Sequence, residues 1–379
     1  MKFATKQIHA GQYPEETTGA VITPIFQTST YSNEKLGESK GFDYGRTINP
    51  TRTALEKNLA SLENGEHGFC FSSGMAAVQA LITLFKPGDH VICTNNVYGG
   101  TYRLFEQVIK NYGIKFSYVD TSNFGELKNS VTENTRLIYV ETPTNPMLNI
   151  TDLTKLNALA KEKKILTCVD NTFMSPYFQN PLDFGIDLVL HSSTKYINGH
   201  SDVIGGCLMT SDDKIAERLK FLQNSIGAVP APFDCWLILR STKTLAQRMK
   251  AHNENAIAIC EILSKEKKIQ KLLYPGLQTH PQYELAKSQM RGFGGIISLE
   301  LGSYDKAVAF CNGLEIFQIA ESLGGVESLV CHPVSMTHGS VPKDVRETFG
   351  LTDGLVRLSV GIEDKDDLIE VIEKALKKL

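Results

Sequence analysis

The sequence predicts an α/β fold: a mostly parallel seven-stranded sheet covered by helices, followed by a smaller C-terminal α/β domain. Three observations predict it. Short apolar, β-rich runs recur from Gly68 to about Thr210, helical patterns separate them, and two of the runs end in polar residues of the kind found at the ligand crevice of an open sheet.

Taken in order, residues 1 to 45 carry turn formers (Gly11, Pro14, Gly19, Pro24) and few periodic apolar positions, and they read as an extended arm that needs another surface to lie on. The strand candidates are 68–71, 90–93, 116–119, 137–140, 166–169, 188–190 and 206–209. Between them, Met75 to Phe85 and Thr101 to Asn111 have helical apolar spacing, and Lys155 to Lys164 reads as a crossover helix. A long helical region spans about Asp212 to Lys265. A strand candidate at Gly295 to Leu301 and a terminal helix ending in Ala375-Leu-Lys-Lys-Leu379 then suggest the smaller domain. The expected division is an arm over 1–45, a large domain over 46–240 and a C-terminal domain over 241–379.

With 379 residues, 42% of them apolar, the chain can bury a large core. A net charge of -3 without a long Lys/Arg cluster leaves no footprint for nucleic acid. The N-terminus lacks the apolar core of a signal peptide, and no apolar run approaches the roughly 18 residues of a membrane span, so the expected location is the cytoplasm. Eight cysteines without CxxC spacing are expected to be reduced and buried. The nine histidines form no HExxH pattern, and His191 and His200 bracket Lys195 without helical ligand spacing, so no metal site is expected. Gly292-Phe-Gly294-Gly295 begins like a dinucleotide fingerprint but has Ile297 in the sixth position and no evident helix after it.

The chemistry concentrates in Leu188-Val-Leu-His-Ser192-Ser193-Thr194-Lys195-Tyr196, where a buried strand runs into hydroxyls and then a lysine. That order suits an amine holding a phosphorylated aldehyde cofactor. Ile165-Leu-Thr-Cys-Val-Asp170 ends a second strand in a carboxylate, suited to the protonated nitrogen of a pyridine ring. Lys195 and Asp170 together suggest pyridoxal phosphate. Ser72-Ser73-Gly74-Met75 lies between a strand and a helix whose first amides would face an anion, although a plain helix cap explains Ser73 equally well. Tyr98 follows the strand ending at Cys93 and can lay its ring on the pyridine face, leaving its hydroxyl for proton transfer. Arg357, inside the apolar run Gly354-Leu-Val-Arg357-Leu-Ser-Val-Gly361, suits a substrate α-carboxylate.

These residues resemble the pyridoxal phosphate-dependent Cys/Met metabolism enzymes: cystathionine γ-synthase, cystathionine γ-lyase, cystathionine β-lyase and methionine γ-lyase. The resemblance covers nearly the whole chain. It rests on Tyr44-Gly-Arg46-Thr-Ile-Asn49-Pro50, Ser72-Ser-Gly74-Met75, Val97-Tyr98-Gly-Gly100-Thr, Glu141-Thr-Pro-Thr-Asn145-Pro146, Asp170-Asn-Thr-Phe, Ser192-Ser-Thr194-Lys195-Tyr, Glu321-Ser322-Leu-Gly-Gly and Arg357-Leu-Ser-Val-Gly, in that order.

The resemblance implies the aspartate-aminotransferase type of fold and a homotetramer of two active dimers, with amino acids as small-molecule substrates. It implies that Tyr44 and Arg46 of the arm reach the neighbouring subunit's cofactor phosphate, joining the amides of Gly74 and Met75 and the hydroxyls of Ser192 and Thr194. Lys195 would hold the cofactor and move protons, Arg357 would hold the carboxylate with Ser322 and Asn145 nearby, and Tyr98 would stack on the ring. Gly100 stands where methionine γ-lyases carry cysteine, and Cys331 where many γ-lyases carry glutamate. The implied function is γ-carbon chemistry: cystathionine γ-lyase, giving cysteine, 2-oxobutanoate and ammonia, or cystathionine γ-synthase, joining an O-acyl-homoserine to cysteine. A β-lyase giving homocysteine, pyruvate and ammonia is the alternative, and a non-catalytic cofactor-binding scaffold is the alternative of another class.

Overall fold

The computed structural model describes residues 1–339 and 342–379. Seven strands form the large sheet: β1 (His67–Phe71), β2 (His90–Thr94), β3 (Lys115–Val119), β4 (Thr135–Glu141), β5 (Leu166–Asp170), β6 (Leu188–His191) and β7 (Gly206–Thr210). Their order is β1-β7-β6-β5-β4-β2-β3, with β7 antiparallel to both of its neighbours and the other pairs parallel. The predicted strands are all present. Alternate residues supply two separate cores: Val91, Cys93, Leu137 and Tyr139 pack against the helices Gly74–Ile82 and Gly99–Gln107, while Ile92, Ile138, Val140 and Val169 pack against Leu153–Lys163. Chain order reverses between β2 and β4, so the crevice beyond their C-terminal ends is where an open sheet of this kind binds ligands.

The smaller sheet has the order β10-β11-β12-β9-β8, from β8 (Lys271–Leu273), β9 (Ile296–Glu300), β10 (Gln318–Ile319), β11 (Leu329–Cys331) and β12 (Leu355–Ser359). Helices Leu245–Leu263, Tyr304–Gly313 and Lys365–Lys377 cover it. The expected division at residue 240 falls inside the helix Pro232–Thr242, and the helix after it serves both cores: Leu245 and Met249 pack into one, Ala256, Ile259, Cys260 and Leu263 into the other. One rigid rod therefore fixes the strand carrying Arg357 relative to the large sheet.

The first residues depart from the extended reading. Phe3–His9 is a helix docked on its own chain, where fully buried Gln7 donates to Lys243 O at 2.9 Å and accepts from Ala246 N at 2.9 Å. Seven residues are too few for apolar periodicity to register, and a buried amide supplies part of the docking. Among the described residues, no helix is long and apolar enough to cross a membrane. All eight cysteines are free and buried.

Candidate active site

The C-terminal ends of β4, β5 and β6 deliver Glu141, Asp170 and the Ser192–Lys195 turn to one cavity of about 430 Å³. Gly74 and Met75 enter it from the start of their helix and Tyr98 from the loop after β2, while Asn145, Ser322 and Arg357 close it from the other side. Its size suits a small ligand. A larger, open groove of about 730 Å³ runs past Thr121, Lys155 and Glu284 and holds none of the predicted residues.

Lys195 Nζ donates to Ser322 Oγ at 2.7 Å. Burial, with the positive charge of Arg357 adding to it, pulls the amine down to about 8 against the opposing charge of Glu321. A neutral amine is therefore accessible near neutrality, as nucleophilic and basic work requires. Ser322 takes φ +90, a region a non-glycine residue occupies at a cost on the order of 1–3 kcal/mol. The fold accepts that strain at the one hydroxyl bonded to Lys195. An ordinary lysine in the unfolded chain titrates near about 10.4. Between the two values the unfolded apoprotein binds more protons, so the Lys195 contribution to stability is complete above the higher value and is lost as pH falls through about 8. Apoprotein Tm measured from pH 7 to 10 should thus rise more steeply in wild type than in Lys195→Met; parallel curves would contradict it.

Asp170 Oδ1 accepts from Thr172 N at 3.1 Å and from Thr172 Oγ1 at 2.5 Å, while Tyr139 donates to Oδ2 at 3.2 Å. Burial raises this carboxyl, with those hydrogen bonds opposing. Thr172 Oγ1 also accepts from Ser192 N at 2.9 Å, tying the end of β5 to the start of the lysine turn. Side chains alternate along a strand, so Asn171 and His191 face the other side of the sheet. There buried Glu63 Oε1 meets His191 Nε2 at 2.5 Å and accepts from Asn171 Nδ2 at 2.9 Å. One carboxylate clamps both strand ends from beneath.

Ser73 caps its helix through Ala76 N at 3.0 Å, so the capping role holds, while Gly74 and Met75 line the cavity beside it. A Cβ on Gly74 would lie 3.1 Å from Ser192 Cβ, which shows how closely the helix start approaches the hydroxyl turn. Thr194 Oγ1 accepts from Gly205 N at 3.0 Å, so its hydroxyl is tied to backbone. A Cβ on Gly100 would strike the Tyr98 ring at Cε1 and lie 3.1 Å from Cδ1. Gly100→Ala should therefore push the ring off its seat and lower kcat/KM by roughly ten- to a hundredfold. Near-UV circular dichroism and steady-state kinetics check it, and unchanged values for both would refute the contact.

Arg357 Nη1 donates to Asn145 Oδ1 at 2.8 Å and Nη2 to Ser322 O at 2.6 Å, which orients the guanidinium. Its buried Nε has no partner among the described residues, which leaves a donor for a carboxylate. Tyr44 and Arg46 lie elsewhere. Both are exposed, and Arg46 Nη1 donates to Asn224 O at 2.5 Å beside the Tyr44 ring. Cys331 is buried opposite Arg357 in the β11–β12 ladder and does not line the cavity. The cavity also holds two carboxylates to which sequence reading gave no role, Glu141 and Glu321. Glu141 had a usable signal, since it ends a buried strand as Asp170 does, in register with it.

A phosphorylated pyridine aldehyde fits this cavity: an amine poised to lose its proton, a half-buried carboxylate held for a cationic ring nitrogen, and a glycine helix start pressed against a hydroxyl turn.

A family model described as "Cys/Met metabolism PLP-dependent enzyme" matches residues 4–377. The chain is 52% identical over 379 residues to cystathionine γ-lyase of Bacillus subtilis, covering 100% of each. It is 51% identical to cystathionine β-lyase of Lactococcus lactis subsp. cremoris, covering 99% of this chain and 98% of that one. Cystathionine γ-synthase of Xanthomonas oryzae, solved in complex with aminoacrylate and cysteine, superposes with TM-score 0.98 at 42% identity, covering 100% of this chain and 98% of that one.

Proposed function

The chain belongs to the Cys/Met metabolism enzymes that depend on pyridoxal phosphate, and on that footing we propose that it cleaves cystathionine at the γ-carbon, releasing cysteine, 2-oxobutanoate and ammonia. The pairing of a depressed amine, Lys195, with an oriented guanidinium, Arg357, across one cavity supports the amino-acid chemistry, and the observation that carries the γ-carbon reading is the 52% identity to a cystathionine γ-lyase over the full chain.

When bound, pyridoxal phosphate supplies the aldehyde held by the lysine and a ring that withdraws electrons from the substrate's Cα. Arg357, steadied by Asn145 and Ser322, holds the α-carboxylate, so Cα faces the lysine side of the cavity. Asp170 would set a negative charge against the ring nitrogen, and Tyr98 would cover the ring face. Lys195 Nζ, oriented by Ser322 Oγ, would take the Cα proton, give it up to the carbon that the cofactor's aldehyde supplies, and, neutral again, take a proton from Cβ. Removal of the second proton would let sulfur leave from the γ-carbon with the bonding pair, and the proton now on Lys195 Nζ is available to make it the thiol of cysteine. A β-cleavage needs the first proton alone, which is why one scaffold serves both reactions.

Gly74, Met75, Ser192 and Thr194 are assigned to the cofactor phosphate, together with Tyr44 and Arg46 of a neighbouring copy. Those two residues are exposed and do not line their own cavity, which supports their placement at a neighbouring copy's cavity; the homotetramer of paired active sites is what the family resemblance adds. Eight free cysteines support a reducing compartment, the cytoplasm.

The similarity to a Lactococcus β-lyase favours a second reading, β-cleavage to homocysteine and pyruvate. Mass spectrometry of products from cystathionine alone separates them: 2-oxobutanoate is the expected oxo acid, and pyruvate in its place would make the enzyme a β-lyase. A parallel mixture of O-acetylhomoserine with cysteine that yields cystathionine faster than cystathionine is cleaved would make it a γ-synthase.

A further inference from the structure

Glu141 ends β4, is 5% exposed, and makes no ion pair among the described residues. A carboxyl group this far from water is costly unless hydrogen bonds compensate it. Its two oxygens are divided between two loops. Oε2 accepts from Tyr98 N at 3.0 Å and Oε1 from Asn145 N at 2.9 Å. Asn145 is held at its other end as well, because its carbonyl meets His338 Nε2 at 3.1 Å and its Oδ1 accepts from Arg357. A continuous chain of hydrogen bonds therefore runs from Tyr98 through Glu141 and Asn145 to Arg357.

We propose that Glu141 is a positioning residue that sets the Tyr98 ring and the Asn145–Arg357 carboxylate clamp relative to each other from one side chain. The inference rests on the roles given above to Tyr98, Asn145 and Arg357. The loop after β2 and the loop after β4 flank the topological switch point, and among the described residues no other side chain accepts from the backbone of both. Thr94 Oγ1, accepting from Glu141 N at 3.3 Å, adds a tie back to β2. Burial, with the charge of Asp170 on the adjacent strand, pushes the Glu141 carboxyl well above the usual range, and a protonated acid still offers a lone pair to each amide.

Glutamine separates positioning from bulk. It has nearly the same shape but one acceptor, so one of the two amides loses its partner and faces an NH₂ group. In cofactor-loaded Glu141→Gln we expect kcat/KM to fall about ten- to a hundredfold, with KM raised as well as kcat lowered. The apoprotein should also bind pyridoxal phosphate about tenfold more weakly in an absorbance titration. Glu141→Asp, which keeps two acceptors on a shorter stem, should recover part of the loss, and it serves as the probe if the glutamine variant does not fold. Adding Glu141→Gln to a Tyr98→Ala/Asn145→Ala background should cost less than about threefold, because the residues through which it acts are gone.

A lowered Tm with wild-type kcat, KM and cofactor affinity per loaded site would make Glu141 a structural residue and overturn the proposal, as would a full additive loss in that background. Wild-type kinetics in Tyr98→Ala and Asn145→Ala themselves would instead remove the roles assigned to those two residues, and this inference with them.

Discussion

Replacing Lys195 with alanine should lower turnover by more than about a thousandfold while leaving measurable binding of pyridoxal phosphate. The two effects separate because different groups carry them. Affinity is spread over the helix start at Gly74 and Met75, the hydroxyl turn and Asp170, all of which remain. Proton transfer depends on Nζ, since Lys195 is the one lysine lining the cavity. The variant also leaves Ser322 Oγ without its partner at 2.7 Å, which relaxes a hydroxyl but creates no buried charge, so apoprotein Tm should follow pH as it does in Lys195→Met. Small added amines should restore a fraction of the rate if the missing function is a base. Near-normal turnover in Lys195→Ala, measured by release of oxo acid, would remove the central lysine from the mechanism.

How much of this was legible follows from distance along the chain. Strands β2, β4, β5 and β6 could be read because buried parallel strands are continuous apolar runs, and Lys195 and Asp170 because they sit at or just beyond the ends of such runs. Arg357 was readable as an arginine in a strand, but its bond to Asn145 spans 212 positions and that of Lys195 to Ser322 spans 127, and no local pattern encodes a pairing at that range. Glu141 could have been marked by its place at a strand end, but its partners could not, because it touches them through their backbone amides, which leave no trace in side-chain identity. The strained φ of Ser322 is equally invisible, since it follows from how the turn meets β12 and not from the residue type. Thr194 shows what a motif leaves out: its hydroxyl lines the cavity and is also tied to the Gly205 backbone, a partner the motif does not encode.

Asp170→Asn is expected to produce the second large loss, roughly 10²–10³ in kcat, with the fold intact. The amide is nearly isosteric, and its oxygen can keep the Thr172 bonds made now at 2.5 and 3.1 Å. What it cannot keep is charge. A ring nitrogen that must stay protonated while electrons flow toward it needs a negative partner, and this half-buried carboxyl at the end of β5 supplies it. The neighbours tolerate the change. Tyr139 donates to Oδ2, the position that the amide nitrogen would take, and its hydroxyl can turn to accept from that nitrogen, while the amide oxygen keeps the Thr172 bonds. The loss is therefore one of charge opposite the ring nitrogen, and cofactor affinity should also fall, by about tenfold. Absorbance titration of the bound cofactor against pH reads the same loss independently of turnover: the variant should lose the ring's proton at a lower pH than wild type. An unchanged titration together with unchanged kcat would mean that the negative charge opposite the ring comes from another group, and Glu141, in register on the next strand, would be the first to replace.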